Sequence, residues 1–104
     1  MKGKKEIRFN FRTAVFKRDG GKCVFCNKDA EDSHHITDRN SPEISNGGYV
    51  LENGISLCAE HHLIAEKFHI SNGTSWDEGF HPDDLYKKIG SSKELAIQKS
   101  SELL

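Results

Sequence analysis

Cys23-Val24-Phe25-Cys26 and Cys58-Ala59-Glu60-His61 each carry two metal donors separated by two residues, a spacing at which one tight turn aims both at one ion. Together they make a Cys3His set, one of the recognised tetrahedral zinc sets, and they use every cysteine in the chain. Such a set leaves no open position, so the expected zinc holds the fold and does no chemistry. A second group is left over: His34, His35, Asn53, His62 and Glu66. Neighbours on a strand face opposite sides, so one of His34 and His35 can bind a metal while the other acts on a proton. His62 and Glu66 stand four apart, on one face of a helix, and can hold a divalent ion with whichever strand histidine points inward. A nitrogen and oxygen set with open water positions suits Mg2+, Mn2+ or Zn2+.

Positioning these groups requires a strand at 33–37, a second strand at 55–57 and a helix from Ala59 to Phe68. His35-Ile36-Thr37 has the β character of the first strand, and Leu63, Ala65, Glu66 and Lys67 are good helix formers. Upstream, Phe11, Ala14, Val15 and Arg18 lie three or four apart and predict a short helix over 11–18, stopped by Gly20-Gly21. Residues 38–54, rich in Asn, Ser and Gly and containing Pro42, predict a long ordered loop, a length more often functional than idle. Asn53-Gly54 taken alone is a turn signal. Asn72-Gly73 ends the Ala59 helix, and residues 71–81 read as irregular, with His81 in the loop and Trp76 and Phe80 available to cover the core. Pro82-Asp83-Asp84 starts a short helix ending at Gly90, and Ser91-x-x-Glu94 matches a capping box opening a last helix to about Leu103. This helical tail, 82–104, carries no chemistry and packs on the domain or on a second copy.

In this order, Arg18-Asp19-Gly20-Gly21-Lys22-Cys23-Val24-Phe25-Cys26, Asp32-Ser33-His34-His35-Ile36, Asn53, and His62 nine residues later resemble the zinc-stapled HNH endonucleases of phage and bacteria, over roughly residues 12–69. The resemblance implies an α+β fold: a small ββα-metal (His-Me finger) core at about 33–69, a structural Zn2+ and flanking helices. It implies His35 as the general base on the attacking water, a role that an ordinary imidazole pKa of about 6.5 suits. Asn53 would hold the His35 ring through a side-chain hydrogen bond. His34 and His62 would bind the catalytic ion (Mg2+, Mn2+, Ni2+ or Zn2+), with Glu66 as third ligand ahead of Asp32. His69, two helical turns past His62, ranks lower and reaches the cleft edge. The ion would bind the scissile phosphate and stabilise charge on the leaving 3′ oxygen, giving 5′-phosphate and 3′-hydroxyl ends. Two features depart from the pattern: Cys58-x-x-His61 stands where Cys-x-x-Cys is more usual, and Glu66 where some members carry a further His.

At 104 residues the chain is read as one domain, 1–104. With 35% apolar and 30% charged residues its core is thin, and a metal staple is what such a chain needs. Three cysteines cannot all pair, Met1-Lys2-Gly3-Lys4-Lys5 lacks the apolar stretch of a signal peptide, and no run reaches membrane-spanning length. A cytoplasmic protein with no membrane partner is expected. The net charge of −1 hides an asymmetry, because residues 1–22 carry eight basic and two acidic side chains and the remainder seven and fourteen. A basic N-terminal arm, 1–10, with Lys4, Lys5 and Arg8, followed by Arg12, Arg18 and Arg39, is the expected grip on DNA phosphates. The leading function is metal-dependent hydrolysis of DNA, as a nick or a double-strand cut. The alternative is a zinc-stabilised module that binds nucleic acid without cutting it. Such a module has no use for a His-His pair with a spaced Asn and His, and a metal-free scaffold leaves the cysteines unexplained. No sequence-reading module such as a helix-turn-helix is visible. A homodimer or a larger phage or bacterial complex is the expected assembly.

Overall fold

The computed structural model describes residues 3–103. Their order is α1 (Lys4–Arg18), β1 (Asp32–His35), β2 (Gly54–Leu57), α2 (Ala59–Ile70), α3 (Pro82–Lys88) and α4 (Lys93–Ser101), with 3-10 turns at Asn46–Gly48 and Leu51–Asn53 between the strands. The result is a small α+β domain built on one antiparallel pair, in the register Asp32↔Leu57, Ser33↔Ser56, His34↔Ile55 and His35↔Gly54. Two strands alone are marginal in water, so the pair depends on helices against both faces.

The register decides which helix meets which histidine. His34, Ile55 and Leu57 look toward α2 and the main core, where Ile36, Ile44, Ala65, Leu85, Tyr86 and Ala96 are buried with them. His35, Gly54 and Ser56 look toward α1, which buries Phe11 and Val15 against them. A Cβ on Gly54 would fall 2.8 Å from the Phe11 ring and closer still to Val15 Cγ2. Gly54 is extended, with φ of −119°, so glycine is needed there for close approach of α1 and not for a turn. The Ser56 hydroxyl donates to the Val15 carbonyl at 3.3 Å and completes the contact.

The first helix is longer than 11–18. It begins at Lys4, so the stretch expected as a basic arm is the first half of α1. Only half-buried Ile7 and buried Phe11 and Val15 mark its inner side, one residue per turn, while good helix formers fill the rest. Lys2, counted with the arm, lies outside the described residues. At the other end the Gly21 N–H donates to the Phe16 carbonyl at 2.8 Å and the Gly20 N–H to Lys17 at 3.4 Å, with both glycines at positive φ. This is a Schellman end, the stop expected of Gly20-Gly21.

The long loop is held in place by the core and by the C-terminal tail. Ile44 enters the core, the Asn46 amide donates to the Ser100 and Leu103 carbonyls, and the Ser91 hydroxyl donates to Glu52 O at 2.8 Å. The tail therefore packs on its own domain and pins the loop. Because Ser91 is spent on Glu52, the cap of α4 is Ser92, whose Oγ accepts from the Leu95 N–H; the capping box at Ser91 is off by one residue. Phe80 covers the core against Phe25 at 4.4 Å, but Trp76 stays 45% exposed, resting on Phe68 and His81. His81 caps α3 by accepting from the Asp83 N–H. Among the described residues no helix is long and apolar enough to cross a membrane.

Candidate metal centres and the histidine between them

The first centre forms where a tight turn meets the start of α2. The Cys23 N–H donates to Lys28 O at 2.7 Å and the Asn27 N–H to Cys23 O at 3.0 Å, with Asn27 at positive φ, so Cys23 and Cys26 project from one knuckle. Cys58 is the residue before α2 and His61 lies in its first turn. The donors are spaced as one ion would space them: Cys26 Sγ to Cys58 Sγ 3.6 Å, Cys23 Sγ to His61 Nδ1 3.6 Å, Cys58 Sγ to His61 Nδ1 3.3 Å. Four ligands at tetrahedral zinc distances lie roughly 3.4–3.8 Å apart, so the set fits a metal ion such as zinc. Burial works to raise the Cys23 thiol, but the N–H groups of Cys58, Phe25 and Cys26 outweigh it and bring it down to about 7. A cradle of amides around sulfur favours the thiolate a metal needs. Phe25 stacks over the His61 ring at 5.5 Å, with Phe80 behind it.

The second centre gathers along a different face of the same helix. Glu66 Oε1 lies 3.2 Å from His34 Nδ1 and 3.2 Å from His62 Nε2, and His34, Glu66 and His69 offer ligand atoms all within 4.8 Å of one another. His34 is buried, and its Nδ1 has no partner in hydrogen-bond geometry despite the nearby carboxylate. That is the arrangement of two donors aimed at a common ion. Asp32 Oδ2 sits 3.2 Å from His62 Nδ1, and His69 Nε2 donates to the His35 carbonyl at 2.9 Å. Each contact fixes a ring and leaves its other nitrogen for a metal, as outer partners of ligating histidines do. Asp32 therefore orients a candidate ligand, while His69, expected only at the cleft edge, closes the group. The signal for it was available: His62, Glu66 and His69 run i, i+4, i+7 along α2. Burial drives His34 below its ordinary pKa, and His34, then the charges of His62 and His69, hold Glu66 at about 2. An ionised carboxylate beside the buried His34 ring is a cation-ready pair.

His35 lies on the opposite face. Its ring stacks on Phe11 at 4.6 Å and meets the edge of Tyr49 at 4.7 Å, and its Nε2 is buried without a partner. Burial, then the charges of His34 and Arg39, pull it down to about 4, below the ordinary value expected for it. At neutral pH the ring is therefore unprotonated but a weaker base than a free imidazole. Asn53 does not hold this ring. Its Oδ1 accepts from the Thr37 N–H at 2.9 Å and the Tyr86 hydroxyl at 2.6 Å, and its Nδ2 donates to Thr37 O and Gly48 O. With every polar position filled, Asn53 locks the backbone just past β1 to the long loop, and any hold on His35 runs through that backbone. Tyr86, whose phenol burial pushes up to about 12, was invisible as a partner because it arrives from α3.

The basic residues divide in two. Arg18 does not face a ligand: its guanidinium grips Asp19 with two bonds of 2.8 Å and donates to the Leu51 and Gly54 carbonyls at 2.9 and 2.7 Å. Asp19 in turn accepts from the Ser56 N–H, so the pair rivets the end of α1 to β2. Arg18→Ala is expected to cost about 2 kcal/mol in urea unfolding; an unchanged unfolding midpoint would show that the pair does not rivet the helix to the strand. Arg12 stays on the surface, its guanidinium donating to Glu31 O, lying over the Phe16 ring and 4.0 Å from Asp32. Lys4, Arg8 and Arg39 instead converge around Tyr49, and exposed Lys5 stays outside that group. Comparison with protein-family models, with curated proteins and with solved structures finds no match to the chain.

Proposed function

We propose that the protein is a metal-dependent endonuclease of the HNH kind, hydrolysing DNA phosphodiester bonds. In this reading zinc fills the Cys3His centre, and His34, His62, Glu66 and His69 hold one divalent ion in a ββα frame formed by β1, β2 and α2. One observation carries it: the unpartnered, buried His34 nitrogen points with Glu66 at a shared position, while its neighbour His35 is an unpartnered neutral base on the opposite face. A domain that only folded around zinc would have no reason to keep the His35 nitrogen buried and unpaired, since such a group costs about 1–3 kcal/mol.

When bound, the ion supplies positive charge to the scissile phosphate and the leaving oxygen. His35 takes the proton of the attacking water, and the Asn53 lock on Thr37 keeps its strand in place. Asp32 and the His35 carbonyl hold His62 and His69 in their ligating tautomers. An imidazole-rich set favours Mn2+, Ni2+ or Zn2+ over Mg2+. The test is plasmid cleavage by zinc-loaded protein with each of the four ions, reading for 5′-phosphate ends. Salt-sensitive DNA binding with no cleavage under any ion would establish the non-catalytic module instead.

A further inference from the structure

Tyr49 has no part in either centre, yet it is the one aromatic residue of the loop 38–54, and the fold brings Arg39, the loop's one basic residue, onto its hydroxyl. A cavity of about 500 Å3 opens between α1 and this loop, lined by Lys4, Arg8, Arg39 and Tyr49 with Asn40 and Asn46. No acidic residue lines it. The Tyr49 hydroxyl accepts from Arg39 Nη1 at 3.2 Å, and among the described residues its own proton has no acceptor. Burial works to raise this phenol, but Arg39 and Arg8 outweigh it and hold it below its ordinary value. The other edge of the Tyr49 ring meets His35 at 4.7 Å and 89°. An anion in the cleft would therefore be one side chain from the base.

We infer that this cleft binds one backbone phosphate of a nucleic-acid strand, beside the phosphodiester to be cut, and that Tyr49 is the positioning residue between that phosphate and His35. The inference rests on the nuclease reading. Two guanidiniums and a lysine neutralise the charge, and the Tyr49 hydroxyl, already held by Arg39, donates a hydrogen bond to a phosphate oxygen. A strand seated this way crosses the open side of the loop next to His35. A free phosphate would satisfy the same charges, but it would not span from the cleft to the base.

The test is fluorescence anisotropy with a labelled DNA duplex and zinc-loaded protein, without added divalent ion, over a salt series. Arg8→Ala and Arg39→Ala are each expected to weaken binding about tenfold and to lower the salt slope by about 1. Tyr49→Phe should weaken it about threefold with the slope unchanged. Lys87→Ala, an exposed lysine of α3, should do neither. A duplex with a single neutral methylphosphonate, walked along the strand, should lose affinity at one position in wild type and lose nothing further there in Arg8→Ala. Such non-additivity identifies the clamped phosphate and would not arise from a structural defect. Losses that add at every position, or Arg8 and Arg39 variants that behave like Lys87→Ala while wild type binds, overturn the cleft alone. Displacement of the duplex by inorganic phosphate at equal ionic strength would mark a free-anion site and also overturns it. A wild type that neither binds nor cuts DNA takes the nuclease reading down with it.

Discussion

His35→Ala is expected to slow single-turnover DNA cleavage by about 10²–10⁴-fold while zinc content and duplex affinity hold. The magnitude comes from the task, since a positioned general base contributes that much to proton transfer and His35 is the one unpartnered neutral imidazole on its face of the sheet. Binding should survive because the basic cleft is built from α1 and the loop, and metal affinity should survive because the ligands lie across the strand. The contact with His69 is made by the His35 carbonyl, which the substitution keeps. His35→Gln, which retains more of the volume stacked on Phe11, guards against a packing artefact and should be equally slow. Cleavage at wild-type rate in both variants would sink the assignment of His35 as base. Loss of stability in both, with activity intact per folded molecule, would make His35 a structural residue.

The second large effect concerns folding. Cys26→Ser is expected to leave the protein without bound zinc and without a cooperative unfolding transition. Structural zinc binding is worth about 10–16 kcal/mol at neutral pH, as much as or more than the whole stability of about 5–15 kcal/mol usual for a domain. Serine nearly matches cysteine in size, and Cys26 is only half-buried, so lost packing is a minor part of the change. Without the metal, the knuckle at Cys23–Cys26 is tied to α2 by the stacking of Phe25 on His61 and an exposed Lys28–Glu60 pair at 3.9 Å, and to β2 by the Val24 N–H bond to Ser56 O. Metal analysis with thermal melts, in the presence and absence of a chelator, checks this. A folded, metal-free Cys26→Ser protein would mean that the Cys3His set is not the staple.

Whatever depends on spacing along one element could be read from the sequence. The two cysteine-bearing pairs, the hairpin carrying His34 and His35 on opposite faces, the Gly20-Gly21 stop and the placing of His62 and Glu66 on one helix face all come from local geometry. Roles set by partners distant in the chain could not be read. Asn53 is claimed by Thr37 and Tyr86, Ser91 by Glu52, and Arg18 by Leu51 and Gly54. At each of these residues a tertiary contact overrides a plausible local role. The start of α1 is hidden for a different reason. Its inner side is only one residue wide per turn, and a charged helix surface reads much like a charged tail. Tyr49 falls in a loop without periodicity, where only its being the sole aromatic sets it apart.

His61 donates to the first centre and His62 faces the second, although one peptide bond joins them. Consecutive helical residues point about 100° apart, so the two rings fix the rotational phase of α2 like two keyways on one shaft. An inserted or deleted residue elsewhere in the loops can be absorbed, but one placed between these two positions would swing Glu66 and His69 off His34 while leaving the cysteine set intact. The stretch from Cys58 to His69 is therefore closed to length variation over its whole span, whatever happens to its outward-facing side chains.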